Sequence, residues 1–199
     1  MKELLNTPHD VARELARKYS TMTIDEINLL ESILMPMKYK KGELILEAGV
    51  ISKYIYYIDK GLLRVFYYKN NKELTEHLQR ENNIVMSIES LFRSVPSKLQ
   101  IEAIEPSVIY KIPVIDLERI SLHHSNIQML YRKILEESLI QSQVHADLLR
   151  FESASDRYGK YRKMEPQIVL RAPMNYIASY LQMTPETLSR VRNAYLQEQ

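Results

Sequence analysis

Residues 173–192, PMNYIASYLQMTPETLSRVR, constrain this chain more than any other stretch, because they hold two helix starts separated by a very short turn. A first helix from about Met174 to Leu181 puts Ile177 and Leu181 one turn apart on a buried face. Ala178 beside them is small enough for a second helix to cross closely. Thr184 can accept bonds from free N–H groups as an N-cap, and Pro185 has the fixed φ suited to a first helical position. A second helix therefore starts at Thr184 and points Leu188 and Val191 inward. Glu186, Thr187, Ser189, Arg190 and Arg192 are left for a partner, and with Thr184 at the helix start they are the candidate DNA contacts of this helix. Those residue types suit a helix that reads base edges: Arg bonds guanine bidentately, Glu accepts from cytosine, and Ser or Thr reaches bases or phosphates. The same spacing also fits an ordinary helical hairpin in which Glu186 and Arg190 form an exposed pair worth a few tenths of a kcal/mol. The turn residue Gln182 stands where Gly is common, and a left-handed Gln there costs about 1 kcal/mol.

Composition bounds the remainder. A chain of 199 residues, 45% hydrophobic, has enough core for one or two domains. It contains no Cys, which excludes disulfides, thiolate catalysis and Cys-ligated metal sites. The start, MKELLNTPHDVAREL, lacks the apolar core of a signal peptide, and no run is long enough to span a membrane, so the cytoplasm is the expected compartment. A formal charge of +2 is too small to signal nucleic-acid binding by itself. A local basic cluster does stand just ahead of the two-helix unit: Arg157, Lys160, Arg162, Lys163 and Arg171. It reads equally as a solvated face or a phosphate-contacting one, Lys163 and Arg171 being the candidate DNA contacts. The five His residues show no metal-ligand spacing, and no spacing of Glu, His and Ser suggests catalysis, so neither metal nor enzymatic chemistry is expected.

Three of the four Gly residues, Gly42, Gly49 and Gly61, lie within a region that alternates. Leu44 and Leu46, Ile55 and Tyr57, then Leu63, Val65 and Tyr67, and Leu74 and Leu78 recur at the period of strands with one buried face. Lys69-Asn70-Asn71-Lys72 fits a hairpin turn. Ile101 and Ala103, then Val108, Tyr110 and Ile112, carry the strands to about Pro113, implying a sandwich or barrel. Before them, Thr23 and Glu26 form a capping box for a helix ending near Pro36. After them, Ser125 is placed to cap a long helix reaching about Ser153. Its apolar residues, from Ile127 and Leu130 to Leu139, Val144 and Leu148, occupy more than one face. Such a helix packs on its own strands and on either a symmetric copy or further residues of the same chain.

This order of parts resembles the cyclic-AMP receptor protein and fumarate–nitrate regulator (Crp/Fnr) family of bacterial transcription factors. The resemblance rests on KKGELILEAG (40–49), YIYYIDKGLLRVFY (54–67), DRYGKYRKMEP (156–166) and IASYLQMTPETLSRVR (177–192). It implies an α+β chain of N-terminal helices and a jelly-roll-like β-roll of the cyclic-nucleotide-binding type (1–122), a long dimerisation helix (123–153) and a helix-turn-helix domain (154–199). It further implies a homodimer joined through residues 125–153, double-stranded DNA as partner, RNA polymerase as a further contact, and a small-molecule effector. Glu186 and Arg190 match the family's base-reading pair; the basic residue some members carry just before that Glu is Pro185 here. Members that bind cyclic nucleotides hold the phosphate with a Gly-Glu pair and a following Arg. In MSIESLFRSVPSKLQIEAIE (86–105), Ser87 and Ile88 occupy the Gly-Glu positions, Glu89 falls one place late, and Ser97 stands for the Arg. Lys98 supplies a point charge without the guanidinium fork. The expected effector pocket is thus Ser87, Glu89, Ser97 and Lys98, with cyclic AMP not expected as a tight ligand. Members also continue into a β-hairpin wing, whereas this sequence ends at Gln199. Fewer phosphate contacts then imply a shallower salt dependence, since each contributes roughly 0.9 to the logarithmic slope. The competing reading is a ligand-binding or protein-interaction module whose shortened helix-turn-helix no longer binds DNA.

Overall fold

The structure, a computed structural model, describes residues 6–197. The expectations about the first five residues and the end at Gln199 lie outside the described residues. The chain begins with α1 (Pro8–Tyr19) and α2 (Ile24–Ile33), followed by strands β1 (Met35–Tyr39), β2 (Leu44–Leu46), β3 (Tyr54–Lys60), β4 (Leu62–Lys69), β5 (Lys72–Arg80) and β6 (Ile84–Val85). A short helix, α3 (Ile88–Arg93), precedes β7 (Gln100–Ala103) and β8 (Ser107–Pro113); α4 (Val114–Ser121) and the long α5 (Ser125–Phe151) follow. The chain then folds into α6 (Ala154–Met164), α7 (Pro166–Arg171), α8 (Met174–Tyr180) and α9 (Pro185–Gln197).

Two antiparallel sheets, ordered β1-β8-β3-β6 and β2-β7-β4-β5, face each other as a jelly-roll-like sandwich. Tyr56, Ile58 and Ile109 from one sheet meet Leu63, Val65 and Ile101 from the other. The outer face of the first sheet, through Ile55, Tyr57, Tyr110 and Ile112, is covered by Leu15 of α1, Leu30 of α2, Leu117 of α4, and Ile127, Leu130 and Ile134 of α5. The outer face of the second sheet is covered as well: Leu62 and Leu78 pack against Leu148, Tyr161, Ile177, Leu181 and Leu188. The central strands of both sheets are therefore covered on two faces. This is why the alternation in the sequence marks the strands yet misplaces some side chains. Leu44 is exposed while Ile45 and Leu46 are both buried, because the register shifts between Leu44 and Leu46. A second shift, opposite Val65 and Phe66, leaves Glu76 of β5 without a pairing partner and makes it a β-bulge.

Local signals elsewhere act as expected. Asn70 and Asn71 are both left-handed, with φ of 51° and 58°, forming the tight turn between β4 and β5. Thr23 and Glu26 form a full capping box. Thr7 and Asp10 form another at the start of α1, a signal of the same kind that the hydrophobic pattern overshadows. Two expectations for α5 need correction. Ser125 is the first helical residue rather than its cap; His124 holds the cap position and makes no side-chain bond there. The helix stops at Phe151, because Ser153 instead caps α6 by accepting from Asp156 N at 3.2 Å.

Gly159 lets α6 cross α9. A Cβ there would stand 2.1 Å from the Tyr195 hydroxyl and 2.7 Å from its Cζ. Gly159→Ala gains about 1 kcal/mol of helix propensity and loses about 1–3 kcal/mol to overpacking. A net destabilisation in urea unfolding is expected; a more stable variant overturns the close crossing.

Candidate nucleic-acid interface

The two-helix unit is built as its residues require. Leu181 ends α8, Gln182 takes the left-handed conformation at φ 52°, and Met183 N bonds back to Ala178 O at 3.0 Å. Thr184 then caps α9 by accepting from Thr187 N at 3.2 Å. Leu188, Ile177, Ala178 and Leu181 are fully buried between the two helices and their neighbours. The opposite side of α9 is an open concavity lined by Pro185, Glu186, Ser189, Arg190, Asn193 and Ala194. Glu186, Ser189, Arg190 and Asn193 follow i, i+3, i+4, i+7 spacing, so they form one stripe along the helix. Backbone and Thr184 hydrogen bonds at the helix start hold the Glu186 carboxyl below its ordinary range, so it is an acceptor at neutral pH. Asn193 is the member that sequence reading missed. Continuing the helical period one turn past Arg190 identifies it.

The other expected contacts divide. Thr184 spends its hydroxyl on capping, and Thr187 lies half-buried beside it, their hydroxyls 3.2 Å apart. Arg192 turns away from the open stripe toward α8, where its guanidinium meets Met174 Sδ at 3.4 Å. Lys163 is exposed at the end of α6, while Lys160 pairs with Glu152. Arg171 has a different task from the one expected. Its guanidinium binds Glu81 with two bonds, of 2.7 and 2.9 Å, and also binds Glu105. Those carboxylates raise its pKa further, and a cation held this way clamps α7 to the sandwich rather than facing a phosphate. Arg80 to Glu165 at 2.9 Å and Thr75 N to Ser179 Oγ at 2.8 Å tie the same two parts together.

The segment expected to hold an effector phosphate is closed on itself. Ser87 and Ser97, 2% and 4% exposed, hydrogen-bond each other at 2.9 Å, and Ser97 also bonds Leu99. Lys98 lies 3.5 Å from Glu89 in an exposed ion pair. Ser87 thus lies beside Ser97, and Glu89 beside Lys98. Their polar atoms are engaged with one another, with the backbone and, for Glu89, with Arg93.

Residues 36–124 match the family model of the cyclic nucleotide-binding domain. Solved structures extend the likeness over most of the chain. FixK2 from Bradyrhizobium japonicum is 18% identical with a TM-score of 0.73, covering 83% of this chain and 86% of its own. The c-di-GMP responsive global regulator CLP of Xanthomonas campestris is 13% identical with a TM-score of 0.70, over 88% and 93%. A CRP/FNR-family transcriptional regulator from Thermus thermophilus is 18% identical with a TM-score of 0.63, over 82% and 87%. This chain has the Crp/Fnr fold. Among curated proteins, no sequence matches it.

Within that fold, α5 carries two kinds of apolar residue. Ile127, Leu130, Ile134 and Leu148 are buried against the protein's own sheets and helices. Leu139, Ile140 and Val144 are 70%, 62% and 44% exposed. These apolar side chains midway along the helix need another surface for their burial. Among the described residues no helix is long and apolar enough to cross a membrane.

Proposed function

We propose that the protein is a homodimeric, sequence-specific DNA-binding regulator, without enzymatic activity, that reads an inverted repeat through α9. The observation that carries this reading is the open stripe Glu186, Ser189, Arg190 and Asn193, set on a helix whose other side is anchored by Leu188. Its donors and acceptors match base edges in a major groove. Pairing of two chains along α5 gives the exposed Leu139, Ile140 and Val144 a partner surface. That pairing would set two copies of α9 about 34 Å apart, one turn of DNA. The division at residues 122 and 153 assigns sensing to the β-roll, dimerisation to α5 and DNA reading to the remainder. Ser87 and Ser97 satisfy each other and Lys98 is held by Glu89, so cyclic AMP is not the controlling ligand.

Selection of bound duplexes from a random pool at near-physiological salt tests the reading. An inverted repeat should be enriched. Arg190→Ala should lose about 1–3 kcal/mol on the selected site and relax one base position, whereas Lys163→Ala should weaken all sequences alike. Equal losses on every sequence for Arg190→Ala would reassign it to phosphate. No enrichment from folded dimer favours the interaction module instead.

A further inference from the structure

A cavity of about 540 Å³ lies where the sandwich, α5 and the α8–α9 turn meet. It falls within the range of small-molecule sites, roughly 300–1,000 Å³. The bulge at Glu76 accounts for its shape: in a regular strand alternate residues face opposite ways, yet Leu74, Thr75, Glu76 and His77 all line this space. The Glu76 side chain has no ion pair or hydrogen bond among the described residues, and neither does the ring of His77. Across the cavity stand His145 and Leu149 of α5, with Met183 and Thr184 at the start of α9.

We propose that this junction binds a small amphipathic molecule whose donor-bearing, preferably cationic, head meets the Glu76 carboxylate and whose apolar body rests on Leu74, Leu149 and Met183. No Lys or Arg lines the cavity among the described residues, so the unpaired carboxylate sets its sign and disfavours phosphates and carboxylates. Burial raises Glu76 and lowers His77, consistent with a carboxyl lacking a partner beside a neutral imidazole. His145 bonds the Tyr180 carbonyl at 3.1 Å and stacks on its ring at 4.0 Å, so the same wall grips the end of α8. The cavity also contains the residue that caps α9, Thr184, beside the left-handed Gln182. An occupant therefore presses directly on the start of the proposed recognition helix. This regulatory consequence rests on the DNA-reading proposal; ligand binding itself does not.

The matched pair tryptamine and indole-3-propionate, an aromatic amine and an aromatic acid of similar size, tests the site by calorimetry on the full chain without DNA, with cyclic AMP as a third arm. Tryptamine should bind saturably and shift the imidazole resonances of His77 and His145. Indole-3-propionate and cyclic AMP should bind at least about tenfold more weakly, and Glu76→Gln should weaken tryptamine by a similar factor. Ala146→Leu, which adds volume to the cavity wall without touching charge, should also weaken it. The proposal is overturned if tryptamine fails to saturate, if the acid binds as well as the amine, or if folded Glu76→Gln binds tryptamine unchanged. Failure of the duplex selection with successful titration removes the DNA reading and leaves the site; the reverse pattern removes the site alone.

Discussion

Arg64→Ala should cost about 3–5 kcal/mol in urea unfolding, the loss expected when one partner of a buried charge cluster is removed. Arg64 is 1% exposed, an unusual place for a cation, and its surroundings explain how it is tolerated. Its Nε donates to Thr75 Oγ1 at 2.8 Å and its Nη1 pairs with Glu73 and, at 3.4 Å, with Glu102. The guanidinium also lies 3.7 Å from the Tyr176 ring centroid and 4.5 Å from that of Phe66. Tyr176 belongs to α8, so this one side chain joins the sheet to the two-helix unit through charge and a cation–π contact. Removing it leaves Glu73 and Glu102 close together without their shared cation. Tyr176→Leu, which keeps the apolar cover but removes the ring, should cost about 1–2 kcal/mol, the size of a desolvated cation–π contact. A loss below about 1 kcal/mol for Arg64→Ala would show that the Arg64 cluster is not what holds the junction.

The second large effect is a loss of stability on mild acidification. Burial, aided by the neighbouring His145, pushes His77 down to about 4, and burial also lowers His145. The folded protein therefore keeps the His77 imidazole neutral, whereas the unfolded chain protonates it near 6.5. Between those values the unfolded state binds more protons, so stability rises with pH across the window. The contribution is complete above about pH 6.5 and is lost progressively toward pH 4, at about 1.4 kcal/mol per unit, or about 3 kcal/mol in all. Glu81 acts in a lower window: burial raises its pKa, but the bonds from Arg171 and the Gly61 N–H outweigh that and lower it. Its contribution is lost only as pH falls through the carboxylate range. Urea unfolding at several pH values between about 7 and 4.5 should show the slope, and His77→Gln should flatten it. A wild-type stability that stays level over that range contradicts a neutral, enclosed His77.

Much of the frame was legible in the chain because its signals act over a few residues. Thr184-Pro185 starts α9, Asn70-Asn71 turns the hairpin and Thr23 with Glu26 starts α2, each through bonds made within three or four positions. The burial of Ile177, Ala178, Leu181 and Leu188 likewise follows from helical spacing. These features came from the sequence by itself.

Tertiary structure decided which polar groups are free. Arg171 and Arg190 look alike in sequence, yet one is clamped by carboxylates 90 and 66 residues away and the other stands open on α9. Arg64 resembles an ordinary outward residue of a strand until α8 folds over it. The alternation of β4 and β5 marked strands correctly but could not place every side chain, because a second layer buries their outer face and a bulge at Glu76 changes the register. The physical reason is range. Caps and turns are completed by neighbours along the chain, whereas the partner of a charge, and the face a strand buries, depend on groups that meet only when distant segments pack together.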